Sequence, residues 1–389
     1  MDLFTQLKKD SKSFARAGII HTPHGAIETP SFIPVGTKAS VKTLTPQEIL
    51  DANSQAVLAN TYHLYLSPGL SAINSFGGFA PFMGWSGPTF TDSGGYQVSF
   101  LWHPKSANSE RASSVKITDE GAHFRSHIDG SKHLITPEKS MEIQAVLGAD
   151  LIMAFDQPLG SNMTKKRQKE AFTRTLKWEE RSFASWREIQ KKRANKQALY
   201  GVVQGETDGA LRKESLNFIL STGFPAIAIG GETIGADPKV TAEALDTIAH
   251  MLPADKPVHA LGLGGGVEGV FEAVGRGIDT FDNTSVTRMA RTGIYYLYKQ
   301  DGGRIQNKFR QNIKKCSAED HKPISKVCKC FTCSNFSTAY IRHLIMSEEL
   351  LGGRLLTIHN IFFMNFLLRE IRDSILGGKF MELKGSWID

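Results

Sequence analysis

At 389 residues the chain has room for one large barrel-type domain or two ordinary ones. Its 41% hydrophobic and 22% charged residues fit a soluble globular protein and argue against a disordered one, and the aliphatic runs are too short to span a bilayer. The N-terminal stretch MDLFTQLKKDSKSFARAG lacks the apolar core of a signal peptide, so a cytoplasmic protein with no membrane partner is expected; the net charge of +7 suits an anionic partner.

In chain order, ARAGIIHTPHGAIETP (15–30) reads as a β-hairpin placed to plug the bottom of a barrel. Eight short β-like runs follow: SFIPVG (31–36), AVLANT (56–61), TFTDSG (89–94), LIMAFD (151–156), LYGVVQG (199–205), AIAIGG (226–231), VHALGLG (258–264) and IDTFDN (278–283). Helical patterns separate most of them, including TPQEILDAN, TPEKSMEIQAVLGA, DGALRKESLNFIL and VEGVFEAVGRG. Apolar strands alternating with helices imply a parallel sheet buried on both faces, and eight such units imply a (β/α)₈ barrel. A doubly wound open sheet is the competing architecture, but no Gly-rich dinucleotide fingerprint follows the first strand. HFRSHIDGSKHLIT (123–136) reads as a second hairpin, turning at Asp129–Gly130.

Residues 165–196 form a long basic helix with twelve lysines and arginines, readable either as a nucleic-acid surface or as a solvated face partly offset by Glu170, Glu179, Glu180 and Glu188. Further on, CKCFTC places Cys328, Cys330 and Cys333 within six residues of a chain that has only four cysteines. Three thiolates on one turn suit tetrahedral zinc, with Zn–S bonds of about 2.3 Å. Cys316, His321, His343 and His359 are the candidates for a fourth ligand. The helix STAYIRHLIMSEEL, a stop at LGG and a second helix from RLLTIHN onward form a hairpin that returns His359 toward the cysteines. Four protein ligands close the sphere, so this zinc is structural and the chemistry lies elsewhere.

Several strands end in polar residues or glycine: Asn60, Asp92, Asp156, Gln204, Gly230–Gly231, Gly262–Gly264 and Asp282. A single Asp at such a place is often only a helix cap, but in a barrel this end is the active-site face, and the set points to a site. Asp92 and Asp282 are a natural carboxylate pair for chemistry at a glycosidic bond, one attacking the anomeric carbon and the other moving protons. Asp156, Gln204 and the backbone at Gly230–Gly231 match a guanine edge, and Tyr96 offers a stacking face.

The segments PSFIPVGTKASVK, NTYHLYLSPG, TDSGGYQV, FRSHIDGSKHLITPEKSMEIQ, LIMAFD, YGVVQGE, AIGGE, RGIDTFDN and the C-terminal CKCFTC with its later His occur in order and closely resemble the tRNA-guanine transglycosylase family, over about residues 14 to 377. That resemblance implies an irregular (β/α)₈ barrel over 1–300 with the N-terminal hairpin and catalytic rim. A zinc-binding subdomain and the final barrel helix are then expected over 301–389. It implies exchange of the wobble guanine of tRNA for a 7-deazaguanine base, with Asp282 as nucleophile and Asp92 as general acid/base. Asp156, Gln204 and Gly231 would read the base, Tyr96 and Leu261 would sandwich it, and Arg288 and Arg291 would hold the anticodon loop. The zinc ligands would be Cys328, Cys330, Cys333 and His359, and a homodimer is expected. Departures from the bacterial pattern include FDQPLG (155–160 with its Pro158), Glu232, Ile234 and Gly265, the last where a lysine is usual. Ile234 is expected to crowd the cyclopentenediol of queuine, and Glu232 to attract the cation of the smaller aminomethyl precursor; Pro158 is an alternative opening of the pocket. The rival readings are queuine salvage, action on another polymer such as DNA, and a non-catalytic tRNA-binding accessory subunit. Retention of both Asp92 and Asp282 argues against the last.

Overall fold

The computed structural model describes residues 2–100, 115–160 and 163–388. Eight short strands carry the architecture: β1 (Ser31–Ile33), β2 (Val57–Ala59), β3 (Thr89–Thr91), β4 (Leu151–Met153), β5 (Ala198–Val203), β6 (Ala226–Ile229), β7 (Val258–Ala260) and β8 (Thr280–Asp282). They pair in parallel in the order β1-β8-β7-β6-β5-β4-β3-β2. A parallel bridge between Val35 and Leu58, with Gly36 N–H donating to the Leu58 carbonyl at 2.7 Å, joins β1 to β2 and closes the barrel. All eight runs expected from the sequence are strands, and the bridge that closes them excludes the open sheet.

Period-2 alternation sorts the side chains into two cores. Ile33, Leu58, Phe90, Leu151, Met153, Tyr200, Val202, Ala226 and Ala228 fill the barrel interior. Phe32, Ile152, Leu199, Ile227, Ile229, Val258, Ala260 and Phe281 point outward, under the helices. The hairpin at 15–30 is present as Arg16–Thr22 and Gly25–Thr29, extended by Phe4–Lys9 into a three-stranded antiparallel sheet. Phe4, Ile20 and Ile27 of that sheet join the interior cluster, so it does plug the barrel. Phe4–Lys9 escaped the sequence reading because most of its residues are exposed and polar, which hides the alternation. The second hairpin pairs Ala122–Arg125 with Lys132–Ile135 and has Gly130 at φ +75°, as its Asp-Gly turn requires.

The helices start where the sequence supplies caps. Thr45, Thr136, Thr164, Asp208 and Asp237 each accept a backbone N–H two or three residues on. One boundary differs from expectation. LGG is no stop, because a single helix runs Leu350–Leu376 through it. A Cβ at Gly352 would lie 3.0 Å from Leu344 Cβ, and one at Gly353 would lie 3.4 Å from Arg291 Cα. The glycines let this helix pass closely between Thr338–Met346 and Ser285–Arg291; they do not end it. By composition it is apolar enough to cross a membrane, but 67% of its most hydrophobic window is buried in the fold, as for a core helix.

Candidate active site

The C-terminal ends of the strands open into one cavity of about 720 Å³. It is lined by the expected rim residues Asp92, Asp156, Gln204, Gly231, Leu261 and Asp282, together with Tyr96. Strand geometry explains the convergence, since all eight strands point the same way and each hands its next residues to the same face.

Asp92 follows β3 and is held from β2's end. Its Oδ1 accepts Thr61 N–H at 2.8 Å, and its Oδ2 accepts from the Asn60 amide. Burial pushes its carboxyl up to about 7, and the negative charge of Asp282 adds to that, against the hydrogen bonds from Thr61, Gly94 and Asn60. Asp282 ends β8 with an inward side chain, and its Oδ1 accepts Gly262 N–H at 2.9 Å. Two neighbouring carboxyls, one raised toward neutrality, are what general acid/base chemistry beside a nucleophile requires.

Asp156 lies three residues beyond β4. Its Oδ1 accepts from Ser93 Oγ at 3.0 Å and its Oδ2 from Gln204 Nε2 at 2.7 Å. Burial raises it to about 6, partly countered by those two donors. The long basic helix, Lys165–Lys191, fixes this segment from behind. Ser182 Oγ accepts Phe155 N–H and Thr175 Oγ1 accepts Gln157 N–H, each at 3.1 Å, bracketing Asp156. On the outer face of the same helix, Arg174 and Lys177 pair with Asp119, Arg181 with Glu138 and Lys191 with Glu188.

Gly231 adopts φ +108°, and a Cβ there would meet Glu206 Oε1 at 2.8 Å. Glu206 is a functional candidate that sequence reasoning missed. It is buried, and its carboxylate accepts the N–H groups of Glu232 (3.0 Å) and Thr233 (3.1 Å), fixing the loop after β6. Burial raises this carboxyl above its ordinary range. A Glu following a Gly carries no sequence signal of such a role. His63, which also lines the cavity, was missed too; burial lowers its pKa, as do Lys38, His127 and Lys42.

Ile234 does not stand where it was expected. It is fully buried in the core outside the barrel and does not line the cavity, whereas Glu232, Gly235 and Pro158 do. The short helix Thr233–Ala236 turns its side chain inward, so the crowding argument built on Ile234 falls. Arg288 and Arg291 lie on Ser285–Arg291, directly after Asp282's strand. Arg288 is exposed and Arg291 half-buried, and neither lines the cavity.

Away from the rim, Cys328, Cys330, Cys333 and His359 bring their donor atoms within 4.8 Å of one another, all four residues buried. His359 Nε2 lies 2.9 Å from the Tyr296 carbonyl, which can only accept. The proton therefore sits on Nε2, and the Nδ1 lone pair faces Cys330 (3.8 Å) and Cys333 (3.3 Å). The donor set could hold a soft or borderline cation through three thiolates and Nδ1. Cys316 is instead placed beside Tyr295 and Gln311, and neither His321 nor His343 joins the cluster.

Comparison with known proteins agrees with this geometry. The family model described as queuine tRNA-ribosyltransferase matches residues 10–389. A protein named queuine tRNA-ribosyltransferase from Desulforudis audaxviator (strain MP104C) is 40% identical over 386 residues, covering 99% of this chain and 97% of its own. Proteins of the same name from Thermoanaerobacter pseudethanolicus (42% over 378 residues; 97% and 94% covered) and Staphylococcus haemolyticus (40% over 386 residues; 99% and 96%) are similar throughout. A barrel with carboxylates at its rim, a Cys₃His cluster beside it and relatives of this name along the whole length leave one assignment: the chain belongs to the queuine tRNA-ribosyltransferase family of pentosyltransferases.

Proposed function

We propose that this protein exchanges the wobble guanine of a tRNA for a 7-deazaguanine base through a covalent ribosyl–Asp282 intermediate. The observation that carries the reading is the convergence of Asp92, Asp156 and Asp282 on one cavity, with Asp92 and Asp156 raised toward neutral pH. In the first half-reaction an Asp282 oxygen bonds to C1′ of the ribose as the C1′–N9 bond breaks. The bonding pair leaves with N9, and protonated Asp92 supplies the proton that neutralises the departing guanine. In the second, Asp92 takes the N9 proton of the incoming base, whose nitrogen attacks C1′ and frees the Asp282 carboxylate. Two displacements retain configuration.

Asp156 and Gln204, with the backbone at Gly231, read the base edge, and Tyr96 and Leu261 supply its two faces. Arg288 and Arg291 hold the anticodon loop beside the cavity. Cys328, Cys330, Cys333 and His359 hold a structural Zn²⁺, which fits the thiolate-rich donor set and the Nδ1 lone pair. The protein acts as a homodimer; exposed Phe331, Tyr340, Met346 and Leu350 near the metal cluster are apolar groups for such an interface to cover. With Ile234 turned into the core, the steric case against queuine falls away, and Glu232 remains at the cavity wall to meet a cationic substituent.

The test is exchange of labelled guanine into a tRNA with a queuosine-type anticodon, followed by separate chases with queuine and the aminomethyl precursor. The proposal expects label to enter and both bases to displace it. No exchange into any tRNA would overturn it in favour of another polymer or an accessory role.

A further inference from the structure

The interior of the barrel holds one imidazole that the reaction described above does not use. His259 points inward from the middle of β7, is fully buried, and lies between the rings of Phe90 (centroids 5.2 Å apart) and Tyr200 (6.3 Å). Its Nδ1 lies 2.9 Å from Thr280 Oγ1, and its Nε2 lies 3.3 Å from Asp282 Oδ1. Thr280 and Asp282 are two residues apart on β8, so both point to the same side as His259. A neutral imidazole has one N–H to give. If Nδ1 carried it, the Nε2 lone pair would oppose a carboxylate oxygen in a dry interior. With the proton on Nε2, that nitrogen donates to Asp282 while Nδ1 accepts the Thr280 hydroxyl proton, and every group is satisfied.

We infer that His259 is a positioning residue for Asp282, with its tautomer set by Thr280. This rests on the nucleophile role proposed above for Asp282. Oδ1 is held by two donors, His259 Nε2–H and Gly262 N–H, and Oδ2 has no partner among the described residues. Oδ2 is therefore the oxygen presented to C1′. When the second half-reaction returns the carboxylate, the same two donors receive its charge. The aromatic sleeve of Phe90 and Tyr200 keeps the ring from rotating away.

The experiment compares His259→Phe, His259→Gln, Thr280→Val and Asp282→Asn in steady-state guanine exchange, with thermal unfolding of each. His259→Phe preserves ring volume but removes both hydrogen bonds, while Thr280→Val removes only the group that sets the tautomer. Loss of one hydrogen bond to a charged group predicts a kcat roughly ten- to a hundredfold lower for His259→Phe. KM for RNA and for base should stay within about twofold, as expected when ground-state binding is untouched. Thr280→Val should fall the same way by a smaller factor, and His259→Gln, which can still present an N–H, should recover part of the loss. Normal kcat in both His259→Phe and Thr280→Val, with Asp282→Asn inactive, would overturn the positioning role and leave the nucleophile assignment standing. Exchange retained by Asp282→Asn would overturn both. A kcat loss that simply follows the drop in unfolding temperature, with no recovery in His259→Gln, would make His259 a packing residue and also overturn the inference.

Discussion

Asp156 shows how a single carboxyl that lines the cavity can be costly to the fold. Its carboxyl is buried, and Ser93 and Gln204 donate to it. Because its pKa is raised from 3.8 to about 6, the native state binds its proton more tightly than the unfolded chain does. The stability contributed by that proton is complete below about pH 3.8 and is lost as pH rises through about 6. Asp156→Asn should therefore unfold at a higher temperature than the parent at pH 7.5. The difference should shrink as pH is lowered toward 4, while base exchange is lost. Thermal unfolding of both proteins across that range checks it; a variant less stable at pH 7.5 would contradict the sign. Asp92, Asp156, Gln204 and Asp282 were all legible in the sequence, because a polar residue at the end of an apolar strand is conspicuous. Glu206 and His259 were not. Glu206 acts through a positive-φ backbone (φ +47°), and His259 through a ring buried mid-strand, where a histidine reads as core. Ile234 was misplaced because a four-residue helix reverses which side chain faces the cavity, and one-dimensional spacing does not report that turn.

At the level of elements, the most instructive is Leu350–Leu376. It carries His359 toward the cysteines, and its Asn360 accepts Tyr296 N–H (3.0 Å) and donates to the carbonyls of Val286 and Ile294. One helix thus ties the Cys₃His cluster to the helix bearing Arg288 and Arg291. Its glycines were read as a terminator, which is the common meaning of a Gly pair after a helical pattern. What decided otherwise was the close approach of two neighbouring helices, a tertiary fact. Gly352→Val should force Leu344 and Ile345 aside and cost about 1–3 kcal/mol, measurable by denaturant unfolding, with chemistry on short stem-loop RNA affected less than stability. A neutral substitution would mean the helices have slack that the 3.0 Å contact denies.

For the whole molecule, the closed barrel carries the acidic cavity at its rim, and the Cys₃His cluster brings His359 of Leu350–Leu376 together with Cys328, Cys330 and Cys333. The barrel's closure was legible from the eight strand–helix alternations, and the plug from its hairpin pattern. The seating of the plug was not, since it depends on Arg16 reaching Asp279 (2.6 Å) at the base of β8, a pairing 263 residues apart in sequence. If the Cys₃His cluster holds Zn²⁺ structurally, a strong chelator should lower the unfolding temperature by several degrees at an unchanged pH optimum. Cys330→Ala should reproduce that loss and be insensitive to chelator. Elemental analysis finding no metal in the purified protein would contradict it.

The most direct test of the account is to incubate the protein with an anticodon stem-loop RNA, denature, and look for an RNA–protein adduct by gel and mass spectrometry. The account predicts an adduct mapping to Asp282, absent from Asp282→Asn although that variant still binds the RNA. An adduct that persists in Asp282→Asn, or maps to another residue, would contradict it.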